Sequence, residues 1–130
     1  MISVDTNLLA RLLLRDDPER FRRALAVLSS HEEVFVPVTV LLELAWVLRV
    51  RDATQDEIAA SLQGILDLPQ VVAQHDEPVR KALGWVKRGM DVADAFHLVL
   101  GDRSEAFVTF DKSLARQASR LAINSPVRLA

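Results

Sequence analysis

A chain of 130 residues suits one domain, because it is long enough to bury a core and short for two. It is 50% hydrophobic and 26% charged, which is typical of a globular protein rather than a disordered one. It has no cysteine, which excludes disulfides, thiolate zinc sites and a cysteine nucleophile, and its net charge of -2 gives no overall attraction for nucleic acid. We therefore expect a single domain over residues 1–130.

The N-terminal segment is apolar but is interrupted by Asp5 and Arg11. It has no basic lead followed by an unbroken apolar stretch, so it predicts neither a signal peptide nor a membrane span. We expect a cytoplasmic protein that does not bind membranes.

Short β-branched runs alternate along the chain with longer helical patterns. Strands are predicted at 2–4, 34–36, 71–73, 106–110 and, in the tail, 125–129. Helices are predicted at 7–14, from 18 onward, and at 39–50, 54–68, 78–87, 92–100 and 112–120. Short apolar strands separated by helices predict an α/β fold with a short, mostly parallel central β-sheet flanked by helices on both faces.

Four carboxylates occupy positions that such a fold brings together. Asp5 and Asp111 directly follow predicted strands, where parallel sheets bind their ligands. Glu43 lies in TVLLELAWVL with apolar residues on nearly every side, so we expect a buried carboxylate that needs a cation or hydrogen-bond partners. Asp94 lies three residues after Asp91 at a predicted helix N-terminus, which suits a metal-bound phosphate.

Each carboxylate also has an ordinary structural explanation. Asp5, Asp91 and Asp111 suit helix N-caps, and Glu43 suits a buried ion pair with an arginine. As a set, however, converging carboxylates raise one another's pKa and destabilise the fold unless a divalent cation offsets their charge. Oxygen ligands without cysteine favour Mg²⁺ or Mn²⁺, which activate water and stabilise charge on a phosphate.

The stretches ISVDTNLLARLLLRDD, VPVTVLLELAWVLR, DVADAFHL and VTFDKSL span the chain in order. Together they resemble the PIN-domain ribonucleases, and among them the VapC toxins of bacterial VapBC toxin–antitoxin pairs. The resemblance implies catalytic metal ligands at Asp5, Glu43, Asp94 and Asp111, and supporting residues at Asn7, Thr109 and Asp91. It also implies a Mg²⁺-dependent endoribonuclease that forms a homodimer and is held inactive by a small VapB-like antitoxin.

Basic and leucine-rich segments indicate where RNA and protein partners bind. Lys112, Arg116 and Arg120 recur every four residues after Asp111. A solvated helix face is their ordinary explanation, but their nearness to Asp111 makes them our first candidates for phosphate contacts. A second basic cluster, diluted by acidic neighbours, consists of Arg11, Arg15, Arg20, Arg22 and Arg23. The first two predicted helices carry more leucine than a small core needs, at Leu8, Leu9, Leu12, Leu13, Leu14, Leu25 and Leu28. We expect part of this leucine-rich surface to bind an antitoxin or a second subunit.

Two alternatives stay open at the level of sequence. One is a catalytically weak PIN-like interaction module, against which the four filled acidic positions argue. The other is a structure-specific DNA nuclease, which usually needs more than 130 residues to grip a duplex. Trp46 and Trp85 are interpreted as core or interface anchors rather than base-stacking platforms, and His97 as a core or helix-face residue.

Overall fold

The computed structural model describes residues 1–130 and divides into two compact units. The N-terminal unit spans Met1–Asp76 and the C-terminal unit spans Glu77–Ala130. Both units combine helices with parallel strands, so the chain has the α/β fold that the sequence predicts. A single domain over the whole chain stays a prediction.

The N-terminal unit is built around a three-stranded parallel sheet in the order β1-β2-β3. Its elements are β1 (Ile2–Ser3), α1 (Thr6–Leu14), α2 (Pro18–Ser29), β2 (Val34–Val36), α3 (Val38–Val50), α4 (Gln55–Leu66) and β3 (Val71–Ala73). In the central strand, Val34 lies opposite both Ile2 and Val71. Val34 and Val36 are fully buried, as expected for β-branched residues in a covered parallel strand.

The C-terminal unit contains a two-stranded parallel sheet. Its elements are α5 (Asp76–Lys87, whose first residue belongs to the N-terminal unit), α6 (Val92–Leu100), β4 (Phe107–Thr109), α7 (Lys112–Ala118) and β5 (Val127–Leu129). The pairing of β4 with β5 confirms the strand predicted in the tail. Asp102 Oδ1 accepts hydrogen bonds from the N–H groups of Asn124 (2.6 Å) and Ser125 (2.9 Å), which ties the segment before β5 to the end of α6.

Five helices begin at a residue whose side chain accepts a backbone N–H of the first turn. These N-cap residues are Asp5, Asp17, Thr54, Asp91 and Asp111. Such caps satisfy donors that have no partner inside the helix, so short polar side chains at these positions determine where the helices start. None of the helices is both long enough and apolar enough to cross a membrane.

The leucine-rich surface predicted for α1 and α2 is partly core. Leu9 of α1 and Leu28 of α2 are buried, and the two helices are in contact. Leu25 is 47% exposed, and four leucines of α1 are half-buried, namely Leu8, Leu12, Leu13 and Leu14. The helices therefore bury part of this apolar surface and leave the rest accessible to a partner.

Candidate active site

The first predicted ligand, Asp5, caps α1 and is exposed. Its Oδ1 atom accepts a hydrogen bond from the Leu8 N–H at 3.1 Å, while its Oδ2 atom makes none. Capping and metal binding are therefore compatible in this residue, because each uses a different carboxylate oxygen.

The expectation of a buried Glu43 is wrong, because its side chain is exposed on α3. Thr39, Trp46 and Val50 are also exposed, and their spacing from Glu43 of −4, +3 and +7 residues places all four on one helical face. This exposed face could not be recognised from the sequence, because Trp46 and Val50 are apolar. Burial in an apolar helix is therefore no reason for Glu43 to need a cation.

Asn7 lies beside both predicted ligands of the N-terminal unit, Asp5 and Glu43. It lines one pocket together with Asp5 and a second, smaller pocket of about 230 Å³ together with Glu43. Arg11 lines both pockets as well, and Arg51 lines the second. The side chain of Asn7, near the start of α1, therefore belongs to two pockets, each of which is lined by one predicted ligand.

In the C-terminal unit, the carboxylates of α6 interact electrostatically. Asp91 caps the helix by accepting the N–H groups of Ala93 (3.0 Å) and Asp94 (3.4 Å). Burial, followed by the negative charges of Asp91 and Asp111, raises the pKa of Asp94, while His97 acts in the opposite direction. Asp94 is thus an acid whose charged form is disfavoured by its surroundings.

Asp111 is exposed, and hydrogen bonds fix both its carboxylate and its backbone. Its Oδ1 atom accepts the Leu114 N–H at 3.0 Å, and its own N–H donates to the Thr109 hydroxyl at 3.0 Å. Thr109 is therefore hydrogen-bonded to the backbone of a predicted ligand, and its supporting role at a site stays a prediction.

The donors of the four predicted ligands are all carboxylate oxygens, which suit a hard divalent cation such as Mg²⁺. A cation would also relieve the repulsion that, together with the larger effect of burial, raises the pKa of Asp94. In neither unit do three or more Asp, Glu or His side chains form a group that could hold a metal ion. The chemistry of the side chains fits the ion, and their role as its ligands stays a prediction.

The predicted basic stripe is shorter than the sequence suggested. Lys112 and Arg116 are exposed on α7, but this helix ends at Ala118, so Arg120 lies beyond it. Arg120 instead lines a pocket of about 360 Å³ with Trp85 and Arg88. Only Lys112 and Arg116 therefore share a helix face.

Sequence reasoning gave no role to an exposed aromatic residue beside a predicted ligand. The Phe110 side chain, directly before Asp111, is 87% exposed. The run AFVTF is apolar on both faces of the strand, so no sequence signal distinguishes this exposed ring from a core residue.

Parallel strands followed by helices with capping carboxylates place the chain in the α/β class. The sequence model of the PIN domain matches residues 2–119. The chain therefore belongs to the PIN-domain family, whose members are typically metal-dependent nucleases. No curated protein and no solved structure matches the chain.

Proposed function

We propose that the chain is an endoribonuclease that depends on Mg²⁺ or Mn²⁺ and uses Asp5, Glu43, Asp94 and Asp111 as metal ligands. The observation that carries the proposal is the raised pKa of Asp94 in a chain of the PIN family. Its carboxylate is held near those of Asp91 and Asp111 although their repulsion costs stability. Carboxyls whose pKa is raised by burial and by neighbouring carboxylates are frequent at functional sites.

A bound divalent ion would supply an activated water and offset the negative charge that develops on the phosphate. The surrounding residues position the ligands for this chemistry. Asp91 fixes the first turn of α6, which carries Asp94, and Thr109 holds the backbone of Asp111. Asn7 offers an amide beside Asp5 for a hydrogen bond to the substrate.

We further propose that this activity is that of a cytoplasmic toxin. The resemblance to VapC supports this role and implies a small VapB-like antitoxin as partner. The exposed Leu25 and the half-buried leucines of α1 supply an apolar surface for such a partner. Lys112, Arg116 and Arg120 are proposed to contact the phosphates of the RNA.

Calorimetric titration with Mn²⁺, combined with a cleavage assay, tests the nuclease proposal. The wild type should bind the ion and cleave single-stranded RNA only when the ion is present. Asp94→Asn should lower cleavage by more than the roughly 10–100-fold that loss of an outer-shell partner costs. Asp56→Asn, which changes an exposed acid in the first turn of α4, should leave both ion binding and cleavage unchanged.

Three results would contradict the proposal. Cleavage of DNA but not RNA would identify a DNA nuclease. Absence of both ion binding and cleavage would identify an interaction module. Full activity in Asp94→Asn would remove this residue from the site.

A further inference from the structure

A pocket between α1 and α2 lies beside Asp5 and is rich in arginine. It has a volume of about 400 Å³ and is lined by Arg11 of α1 and by Arg20 and Arg23 of α2. Asp5 is the one acidic residue in its lining. This arginine pocket thus has three cations and one carboxylate in its lining, and two of the cations pair with Asp16 and Asp17.

The three arginines retain capacity to bind an anion. Arg23 has no acidic partner, and the ion pair of Arg20 with Asp17 is exposed and 3.6 Å long, which makes it weak. Arg11 binds Asp16 through Nη1 at 3.0 Å, but its Nε atom is buried without a hydrogen-bond partner. A buried donor without an acceptor destabilises the fold, so the ion pair with Asp16 leaves part of the hydrogen-bonding capacity of Arg11 unused.

We propose that the arginine pocket binds a phosphate group of the substrate strand, next to the phosphate that is cleaved. The inference rests on the proposed nuclease function. Guanidinium groups match phosphate oxygens in a planar, two-pronged geometry, and phosphate is the repeating anion of a nucleic-acid strand.

The spacing within the pocket supports a neighbouring phosphate rather than the reacting one. Asp5 and Arg11 are six positions apart, which corresponds to about 9 Å along a helix axis. Apolar side chains complete the lining, namely those of Leu8, Ala24 and Val27. They give a ribose or base an apolar surface in the same pocket as the arginines.

Binding of a short single-stranded RNA to the full chain, with divalent ions removed by a chelator, tests the pocket. Arg23→Gln should weaken RNA binding about tenfold, as expected for losing a charged hydrogen bond. The slope of the logarithm of the binding constant against the logarithm of the salt concentration should become shallower by about 0.7. The matched control is Arg22→Gln, which removes the same charge from the neighbouring exposed residue outside the pocket. It should change the affinity less than twofold and leave the slope within about 0.2 of the wild type. Thermal unfolding of both variants checks that they are folded.

A parallel titration with poly-glutamate, and cleavage of RNA by the wild type with Mg²⁺, complete the test. An equal loss of RNA affinity in Arg23→Gln and Arg22→Gln would contradict phosphate binding in the pocket, because the loss would then follow from the change in net charge. An equal loss of poly-glutamate and RNA binding in Arg23→Gln would identify a site for acidic protein segments instead. If Arg23→Gln alone loses RNA binding while the wild type fails to cleave, the phosphate pocket is supported and the nuclease proposal fails. If the wild type cleaves RNA and both variants bind normally, the nuclease proposal is supported and the pocket fails.

Discussion

Asp94 has a carboxyl group whose charged form is disfavoured in the folded chain. Burial and the charges of Asp91 and Asp111 raise its pKa above the ordinary value of 3.8, to which the unfolded chain returns it. The folded chain therefore binds this proton more tightly than the unfolded chain does. Ionisation of Asp94 consequently costs stability as the pH rises from 3.8 through the raised pKa, and below 3.8 this cost is absent.

We predict that Asp94→Asn stabilises the metal-free protein at neutral pH, because an amide removes the repulsive charge and keeps nearly the same shape. The free energy of unfolding in urea should exceed that of the wild type at neutral pH, and the difference should vanish below pH 3.8. Asp56→Asn on α4 serves as the control with the same chemical change. A lower stability of Asp94→Asn at neutral pH would show that the carboxylate makes favourable contacts instead.

Phe110 lies between two residues, Thr109 and Asp111, that are hydrogen-bonded to each other. Thr109 belongs to β4 and bonds to the N–H of Asp111, which in turn caps α7. The ring between them is nevertheless 87% exposed. An aromatic face beside a predicted metal ligand suits an unpaired base, which can stack on it whatever its identity.

We predict that Phe110→Ala weakens binding of single-stranded RNA about 5- to 150-fold, since base stacking contributes about 1–3 kcal/mol per base. Binding of duplex RNA, whose bases are already stacked, should not change. Affinities are measured without divalent ions, and Val108→Ala, two residues earlier and 51% exposed, is the control. An equal loss for single-stranded and duplex RNA would contradict stacking.

At the scale of the elements, α4 shows how local chemistry determines where a helix begins. The Thr54 hydroxyl accepts the Glu57 N–H at 3.1 Å, and the Glu57 carboxylate accepts the Thr54 N–H at 2.9 Å. This reciprocal pair is a capping box. The hydrogen bonds between Thr54 and the Glu57 carboxylate lower the pKa of Glu57. Their contribution to the stability of the fold is therefore present above pH 4.5 and is lost as the pH falls below that value.

We predict that Thr54→Ala lowers the free energy of unfolding by about 1 kcal/mol, because the first turn of α4 loses an acceptor. Urea unfolding at neutral pH measures the change, and the slope against urea should stay constant. Thr39→Ala is the control, since this threonine lies inside α3 and caps no helix. Equal effects of the two substitutions would mean that the capping bond contributes nothing.

The helices were predictable from sequence where their signals are local. Pro18 lies at the first position of α2, and Thr54 and Asp91 cap α4 and α6 as their residue types suggest. The end of α7 was less predictable, because the sequence between Ala118 and Arg120 contains no glycine or proline to stop a helix.

Exposure was less predictable than helix position, because it depends on which elements pack together. Trp46 is 65% exposed although it lies in an apolar segment, whereas Trp85 is buried. Glu43 lies on the same face as Trp46, and its exposure follows from the packing of α3 rather than from its neighbours in sequence. The candidate ligands could be named from motifs, but their surroundings required the structure.

At the scale of the whole molecule, charge is distributed unevenly along an acidic chain. The net charge of -2 and pI near 5.9 disfavour general attraction to RNA. Lys112 and Arg116 nevertheless share a face of α7, and three arginines line one pocket of the N-terminal unit. Local cations of this kind bind a polyanion where repulsion from the rest of the protein would otherwise oppose it.

The exposed face of α3 is a candidate surface for self-association of the chain. Trp46 and Val50 are 65% and 61% exposed and lie one turn apart, which leaves a large apolar area open to water. Buried tryptophans are frequent hot spots of protein interfaces, so we expect Trp46 to anchor the homodimer that the resemblance to the VapC toxins implies. Trp46→Ala should weaken dimerisation by about 30-fold or more, as measured by sedimentation equilibrium. Leu129→Ala, which removes an exposed apolar side chain from β5, should leave dimerisation unchanged. A wild type that is monomeric at every concentration, or a Trp46→Ala variant that dimerises as tightly as the wild type, would contradict this assignment.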